Sequence, residues 1–185
     1  FFFQAEDGIR DVAPSRVLGD VYKRQTQAST VMYGDNKEFS VVGQHPYDPE
    51  HVILPEIMKD NGYTTGMFGK WAGGYEGSAS TPDKRGIDEY YGYICQFQAH
   101  LYYPNFLNRY SPSLGDTGVV RVVMEENIKY PMYGPDYHKR TQYSADLIHQ
   151  KAMEWIEKQD GEQPFFGIFT YTFCLLYTSP SPRDG

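Results

Sequence analysis

One lysine, Lys70, stands at the end of a short stretch that has the features of a β-strand. It lies in the run 62–71, which reads Gly-Tyr-Thr-Thr-Gly-Met-Phe-Gly-Lys-Trp. Open α/β sheets bind ligands at the carboxyl ends of their strands, so an ammonium group there can contact an oxygen of a sulfate or a phosphate. The same charge can stabilise a leaving group. Trp71 follows and is predicted to shield such a site from water.

The alternative is that Lys70 is an ordinary surface lysine at the end of a strand. A nucleotide-binding P-loop is excluded by two residues. Thr64 stands where that loop has its first glycine, and Trp71 replaces the Ser or Thr that would hold magnesium.

A second candidate cluster is the run 95–104, Cys-Gln-Phe-Gln-Ala-His-Leu-Tyr-Tyr-Pro. Gln98 and His100 are two residues apart, so in an extended segment both side chains face the same way. Imidazole titrates near neutral pH, and His100 can therefore bind a substrate or protonate a leaving oxygen. The alternative, a histidine that satisfies a loop, is equally well supported. Cys95 is predicted to be a small buried residue.

The apolar pattern predicts helices and strands in alternation. A helix over residues 51–61, ended by Gly62, precedes a strand over 63–68. A second helix over 144–160 has one apolar face, formed by Ile148, Ala152, Trp155 and Ile156. The nearly all-apolar run 165–172 is then expected to be a strand covered on both faces. Helix followed by strand, twice, predicts an α/β fold with a parallel or mixed sheet.

Two segments break this pattern. Residues 73–82 are rich in glycine and serine, and most of 102–137 is interrupted by prolines and turn residues. Both are predicted to be loops.

The composition limits the function. The 185 residues are 40% hydrophobic and 22% charged, which suits one globular domain. A net charge of -7 argues against a nucleic-acid partner and against an electrostatic membrane-surface binder. No apolar run approaches the roughly 18 residues that span a bilayer, so no membrane insertion is expected. Cys95 and Cys174 have no metal-ligand spacing, and no metal ligand is predicted within the chain.

The run 62–71 and the later run 86–93, Gly-Ile-Asp-Glu-Tyr-Tyr-Gly-Tyr, resemble two linked motifs of the sulfatase family, G-Y-x-T-x-x-x-G-K-W and G-F-D-x-x-Y-G-Y. The run 95–104 is similar to the C-x-x-Q-A-H-x-Y-Y-P stretch of bacterial arylsulfatase-like members. Three other segments resemble the family in the same order, namely residues 54–63, 143–147 and 163–166. The resemblance is co-linear over residues 26–173.

The resemblance implies an α/β fold, an incomplete mixed sheet of alkaline-phosphatase or sulfatase type flanked by helices. It also implies hydrolysis of aryl or glycan sulfates by a formylglycine, made from Cys or Ser in C/S-x-P-S-R, with the help of a calcium ion. Lys70 maps to the sulfate-binding lysine of G-K-W. We assign Lys70 and His100 as catalytic, and Lys70, Trp71, Gln98 and His100 as substrate-binding. The formylglycine and the calcium ligands are expected outside this chain.

The chain departs from the family pattern at three places. Ala72 stands where many members have the histidine of G-K-W-H. Residues 12–16, Val-Ala-Pro-Ser-Arg, mimic C-x-P-S-R without the modifiable residue, which we interpret as chance. Phe173 is followed by Cys174 where the family continues to a Pro-His pair. The chain alone is therefore expected to be catalytically inactive.

Both ends differ in character from the rest. Residues 1–25 and 174–185 resemble translated sequencing-adapter read-through in environmental DNA, and we predict that they are not native. The alternative is a native polar arm and a disordered Ser/Pro tail. On the first interpretation, residues 26–173 are a partial sulfatase catalytic domain.

Two other functions stay open. One is a phosphodiesterase or phosphonate hydrolase of the same superfamily, and the other is a non-catalytic relative that binds sulfated glycans. The expected partner is a sulfated small molecule or glycan. A periplasmic or secreted location is implied by the resemblance alone.

Overall fold

The computed structural model describes residues 31–33, 41–96, 98–132 and 134–172. In chain order the strands are β1 Val31–Tyr33, β2 Val41–Gly43, β3 Thr64–Lys70, β4 Glu89–Tyr93, β5 Phe106–Tyr110, β6 Val120–Val123 and β7 Phe165–Thr170. The α-helices are α1 Leu54–Asp60, α2 Glu125–Ile128 and α3 Ser144–Glu157. Calls on residues 1–25 and 173–185 lie outside the described residues.

A five-stranded mixed sheet, in the order β6-β5-β4-β3-β7, organises the chain. Strand β3 pairs in parallel with both β4 and β7, while β5 and β6 add antiparallel pairs on one side. The carboxyl ends of β4, β3 and β7 therefore meet at one edge of the sheet, which we call the carboxyl edge. The predicted α/β fold with a mixed sheet flanked by helices is confirmed.

Helix α3 covers one face of the sheet, as its apolar pattern predicts. Its buried residues Ile148, Ala152 and Trp155 belong to one core cluster with Phe68 of β3. A Cβ at Gly66 would lie only 2.6 Å from the Trp155 ring, so this glycine lets the indole pack flat on the strand. Burial of a tryptophan of this kind contributes about 3–5 kcal/mol to stability.

The opposite face has its own core around Met67, Ile87 and Tyr90. Helix α1 begins at Leu54, three residues later than predicted. The backbone N–H of Ile53 donates to Glu56 Oε2 at 2.7 Å, which fixes the start of the helix.

The prediction of loop over most of 102–137 is wrong, because β5, β6 and α2 lie there. Strand β5 contains Asn108 and Arg109, which weaken its apolar pattern. Both side chains have tertiary partners: Asn108 Nδ2 donates to Glu76 at 2.6 Å, and Arg109 Nε lies 2.8 Å from Asp116. Contacts distant in sequence thus stabilise a strand that local pattern does not reveal.

The prediction that the strand after α3 is covered on both faces is also wrong for the described residues. Strand β7 pairs only with β3 and ends the sheet. Phe165 is 45% exposed and Phe169 is 37% exposed. The apolar run reports a strand correctly but does not report what covers it.

Candidate functional site

Lys70 is the last residue of β3, the middle strand of the three parallel ones. Its register partner on β4 is Tyr93. The side chain is partly exposed, and its ammonium group has no hydrogen bond or ion pair with any residue in the part of the chain that the structure describes. A cation with unused donors therefore stands at the carboxyl edge, where the sequence predicts it.

Alternation along β3 places Lys70 on the α3 face of the sheet. Phe68, two residues earlier, packs against Trp155 of α3 with ring centroids 5.5 Å apart. Residues two apart on a strand share a face, so Lys70 follows Phe68 onto this side. Tyr93 belongs to the same core cluster as Phe68.

Close approach of three backbones builds the corner before Lys70. Gly69 has φ +122°, and a Cβ there would lie 2.1 Å from the Thr170 carbonyl oxygen. A Cβ on Gly92 would lie 1.9 Å from the Gly69 carbonyl oxygen. Thr170 Oγ1 donates to the Lys70 carbonyl at 2.8 Å. Only glycine fits at both positions, and the chain path that presents Lys70 depends on them.

Trp71 faces away from Lys70, into the core of the opposite face. It is 7% exposed, and its Nε1 donates to the Ser80 carbonyl at 2.7 Å. The indole also meets Tyr47 edge-on, at 6.0 Å between ring centroids. Its polar atom is thus already used by the protein, and contact of Trp71 with a substrate stays a prediction.

Ala72 occupies the position where many relatives would have a histidine. It has φ +60°, a left-handed conformation that costs a residue with a Cβ roughly 1–2 kcal/mol. Its backbone N–H donates to the Ile94 carbonyl at 3.1 Å, which continues the β3–β4 pairing past Lys70.

Gln98 and His100 lie in a 3₁₀ turn, so the expected extended segment is wrong here. Successive residues of a 3₁₀ turn are about 120° apart, and residues at i and i+2 do not share a direction. Ala99 between them is buried in the α3-side core, while Gln98 is partly exposed and His100 is exposed. Neither of these two side chains hydrogen bonds within the described residues.

Tyr93 joins this turn to the carboxyl edge. Its side chain is fully buried, and its hydroxyl donates to the Leu101 carbonyl at 2.6 Å. Burial raises the pKa of Tyr93 well above its ordinary value, so the phenol stays a donor at neutral pH. Because Tyr93 pairs with Lys70, the structure brings Lys70 and the turn of His100 to the same edge.

Two buried side chains anchor the residues after His100, and sequence reasoning missed both. Arg140 is 5% exposed; its Nη1 donates to the Tyr103 carbonyl at 2.6 Å and its Nε to the Tyr130 carbonyl at 3.0 Å. Asn127 Nδ2 donates to the Pro104 carbonyl at 2.9 Å. An arginine and an asparagine in a stretch without regular pattern give no sequence signal for such a clamp.

The aspartate of the second linked motif has a structural position. Thr65, at the amino end of β3, donates its backbone N–H and its hydroxyl to Asp88 Oδ2, each at 3.0 Å. Lys59 of α1 lies 2.7 Å from Asp88 Oδ1. The two motifs thus join at the edge opposite Lys70, which explains why they occur together.

A cavity of about 270 Å³ lies near the amino end of β4, away from Lys70. Glu89, Arg109 and Lys151 are among its lining residues. Arg109 is paired with Asp116 and Lys151 with Glu154. Burial raises the pKa of Glu89, but these paired cations leave little charge for an anionic ligand.

The described residues do not fit a metal site. No group of three or more His, Cys, Asp or Glu side chains is placed to hold an ion within them. Cys95 is buried, as predicted, and Gln44 Nε2 lies 3.8 Å from its sulfur. No helix in the same part of the chain is long and apolar enough to cross a membrane. Residues 12–16 and 173–175 lie outside the described ranges.

The chain belongs to the sulfatase family. The family model for sulfatases matches residues 25–171, which is most of the sequence and includes both linked motifs and the whole five-stranded sheet.

Solved structures agree on the fold. The crystal structure of PsFucS1 sulfatase from Pseudoalteromonas sp. is similar over 86% of this chain, with 19% identity and a TM-score of 0.52. That of Ps i-CgsB is similar over 88%, with 20% identity and a TM-score of 0.46. BT4656, solved with its substrate D-glucosamine-2-N,6-O-disulfate, is similar over 75%, with 19% identity and a TM-score of 0.45. The chain covers 33%, 34% and 22% of these proteins, respectively.

Proposed function

We propose that this chain forms part of a sulfatase that hydrolyses aryl or glycan sulfate esters, and that Lys70 contacts the sulfate group. The observation that carries the proposal is a partly exposed ammonium group, without a partner among the described residues, at the carboxyl end of the middle parallel strand. Membership of the sulfatase family supports the reaction class.

Each proposed residue has a distinct part in the reaction. The Lys70 ammonium group would donate to a sulfate oxygen and balance the negative charge that grows on the leaving oxygen. His100 would donate a proton to that oxygen or bind the substrate beside it. Gln98 and Trp71 would contact or enclose the substrate.

The remaining chemistry needs groups beyond the described residues. A formylglycine would supply the nucleophile, and calcium would balance sulfate charge. We propose that both are held by parts of a longer polypeptide, because the described residues offer no metal cluster and their one cysteine, Cys95, is buried outside any C-x-P-S-R sequence. Export to the periplasm or the medium is proposed on the family resemblance only.

The test uses the complete polypeptide encoded by the native gene. We expect Lys70→Ala to lower kcat/KM for 4-nitrophenyl sulfate about 100-fold or more, as loss of one preorganised donor does. Lys129→Ala is the control, because Lys129 is an exposed lysine paired only with its helical neighbour Glu126. Turnover by Lys70→Ala at the rate of the control variant would contradict the role of Lys70.

The same assay separates the alternatives. Faster turnover of bis-4-nitrophenyl phosphate than of the sulfate ester would favour the phosphodiesterase or phosphonate hydrolase. Lys70-dependent binding of sulfated glycan without any turnover would favour the non-catalytic relative.

A further inference from the structure

We propose that Tyr102, Tyr103 and Tyr143 form a stacking platform for a saccharide ring, so that the substrate is a sulfated glycan. This inference rests on the proposed function, because it names the substrate class of the same site. The three tyrosines are called the tyrosine platform below.

The rings form one contiguous cluster. The centroids of Tyr103 and Tyr143 are 5.3 Å apart at an interplanar angle of 39°, and those of Tyr102 and Tyr143 are 6.0 Å apart at 44°. Tyr137 supports Tyr103 from the side, edge-on, at 6.4 Å. Tyr143 is therefore the shared neighbour that holds the two other rings together.

The platform has an accessible ring and unused hydroxyl groups. Tyr102 is 36% exposed, while Tyr103 and Tyr143 are partly buried. None of the three hydroxyls hydrogen bonds to another residue in the ranges that the structure describes. A tyrosine ring offers an apolar face for the C–H groups of a sugar, and its hydroxyl offers a hydrogen bond to a sugar hydroxyl. This combination suits a saccharide better than a purely apolar ligand.

The backbone under the platform is fixed before any ligand binds. The backbone N–H of Ser144 donates to the Tyr102 carbonyl at 2.9 Å. The buried guanidinium of Arg140 donates to the Tyr103 carbonyl at 2.6 Å. Tyr143 immediately precedes α3 and is its N-cap residue. Rings held in this way lose little conformational entropy when a ligand stacks on them.

The platform lies on the same side of the molecule as Lys70. Lys70 pairs with Tyr93, and the Tyr93 hydroxyl donates to the carbonyl of Leu101, the residue before Tyr102. His100 is exposed on the turn between them. A sulfate at Lys70 and a sugar ring on Tyr102 would therefore bracket His100, the proposed proton donor.

The experiment measures binding to the chain by titration calorimetry. The probes are inorganic sulfate, 4-nitrophenyl sulfate and three sulfated oligosaccharides, from κ-carrageenan, chondroitin 6-sulfate and heparin. We expect Tyr102→Ala to weaken the best oligosaccharide about 3- to 10-fold, the range for loss of one aromatic contact. Tyr102→Phe should keep most of the oligosaccharide affinity, since it keeps the ring. Neither variant should change the affinity for inorganic sulfate.

Two controls complete the design. Tyr63→Ala removes a partly buried tyrosine at the amino end of β3, on the opposite edge, and should leave oligosaccharide affinity unchanged. Lys70→Ala should weaken both inorganic sulfate and the oligosaccharide. Circular dichroism of each variant confirms that it is folded as the wild type is.

The outcomes separate the two proposals. Unchanged oligosaccharide affinity in Tyr102→Ala, together with a loss in Lys70→Ala, would overturn the platform and leave the proposed function intact. Equal loss of inorganic sulfate and oligosaccharide in Tyr102→Ala would mean a structural effect and would also overturn the platform. If the wild-type chain binds none of the sulfated probes, both proposals fail.

Discussion

Lys70 is positioned by its neighbours' lack of side chains rather than by contacts of its own. Gly69 and Gly92 allow β3, β4 and β7 to approach so closely that a Cβ at either position would overlap backbone atoms. The lysine therefore leaves the sheet along a path that the backbone dictates, and its ammonium group stays available for a ligand. A cation held this way needs no counter-ion from the protein to be well placed.

Gly69→Ala should be severely destabilising. The new Cβ would lie 2.1 Å from the Thr170 carbonyl oxygen, and φ +122° is itself unfavourable for alanine. We expect a loss of about 3 kcal/mol or more in the free energy of unfolding, measured by urea denaturation, because a clash adds to a strained backbone.

Gly77→Ala provides the matched control for this experiment. Gly77 also has a positive φ, +84°, but a Cβ there would meet nothing within 4 Å. It should cost only the conformational penalty of about 1 kcal/mol. Equal losses in the two variants would show that the close approach at Gly69 is unimportant.

At the scale of elements, the carboxyl edge depends on the clamp formed by Arg140 and Asn127. Both side chains are buried, and both donate to main-chain carbonyls of the segment that follows His100. Arg140 has no carboxylate partner among the described residues, but it lies over the Tyr137 ring at 5.3 Å. The clamp thus binds β5, the turn at His100 and the start of α3 into one unit.

Arg140→Ala should cost about 2–4 kcal/mol in the free energy of unfolding. It would leave the carbonyls of Tyr103 and Tyr130 without their donor, and each unsatisfied buried group costs about 1–3 kcal/mol. Arg140→Lys keeps the charge but not the planar fork, so it should recover only part of the loss.

The measurement for Arg140 is again urea denaturation, with Lys129→Ala as a control on an exposed ion pair that should change nothing measurable. Hydrogen exchange of residues 101–104 adds a readout local to the clamp. Loss of protection there should accompany Arg140→Ala. A variant as stable and as protected as the wild type would contradict the clamp.

At the scale of the whole molecule, the described sheet ends at a strand with exposed phenylalanines. Strand β7 pairs with β3 on one side only, and Phe165 is 45% exposed at its beginning. Natural proteins cover such edges or place charged residues on them. An uncovered edge of this kind favours pairing with a second chain.

We therefore expect the chain to self-associate in a concentration-dependent way, and Phe165→Lys to reduce that association. Leu114→Lys is the matched control, because Leu114 is 64% exposed on a short 3₁₀ turn remote in sequence from β7. Sedimentation velocity over a range of concentrations measures the effect. A chain that stays monomeric, or two lysine variants that behave alike, would contradict a role for the β7 edge.

Local pattern was sufficient for the elements whose stability is mostly their own apolar face. Helix α3 and strand β3 lie where the sequence predicts them, within a few residues at each end. Strands β5 and β6 could not be predicted, because their polar residues are stabilised by partners far along the chain, such as Glu76 for Asn108. The covering of β7 was misjudged for the same reason, since burial depends on neighbours that periodicity does not specify.

The sequence by itself determined the family, the α/β class and the position of Lys70 at a strand end, because motif spacing and apolar period are properties of contiguous residues. Only the tertiary structure decided that Trp71 faces the opposite core and that Gln98 and His100 lie in a 3₁₀ turn. It also decided that Tyr93 and Arg140 draw this turn to the edge of Lys70. These arrangements depend on hydrogen bonds between segments distant in sequence, whose partners become neighbours only when the sheet forms.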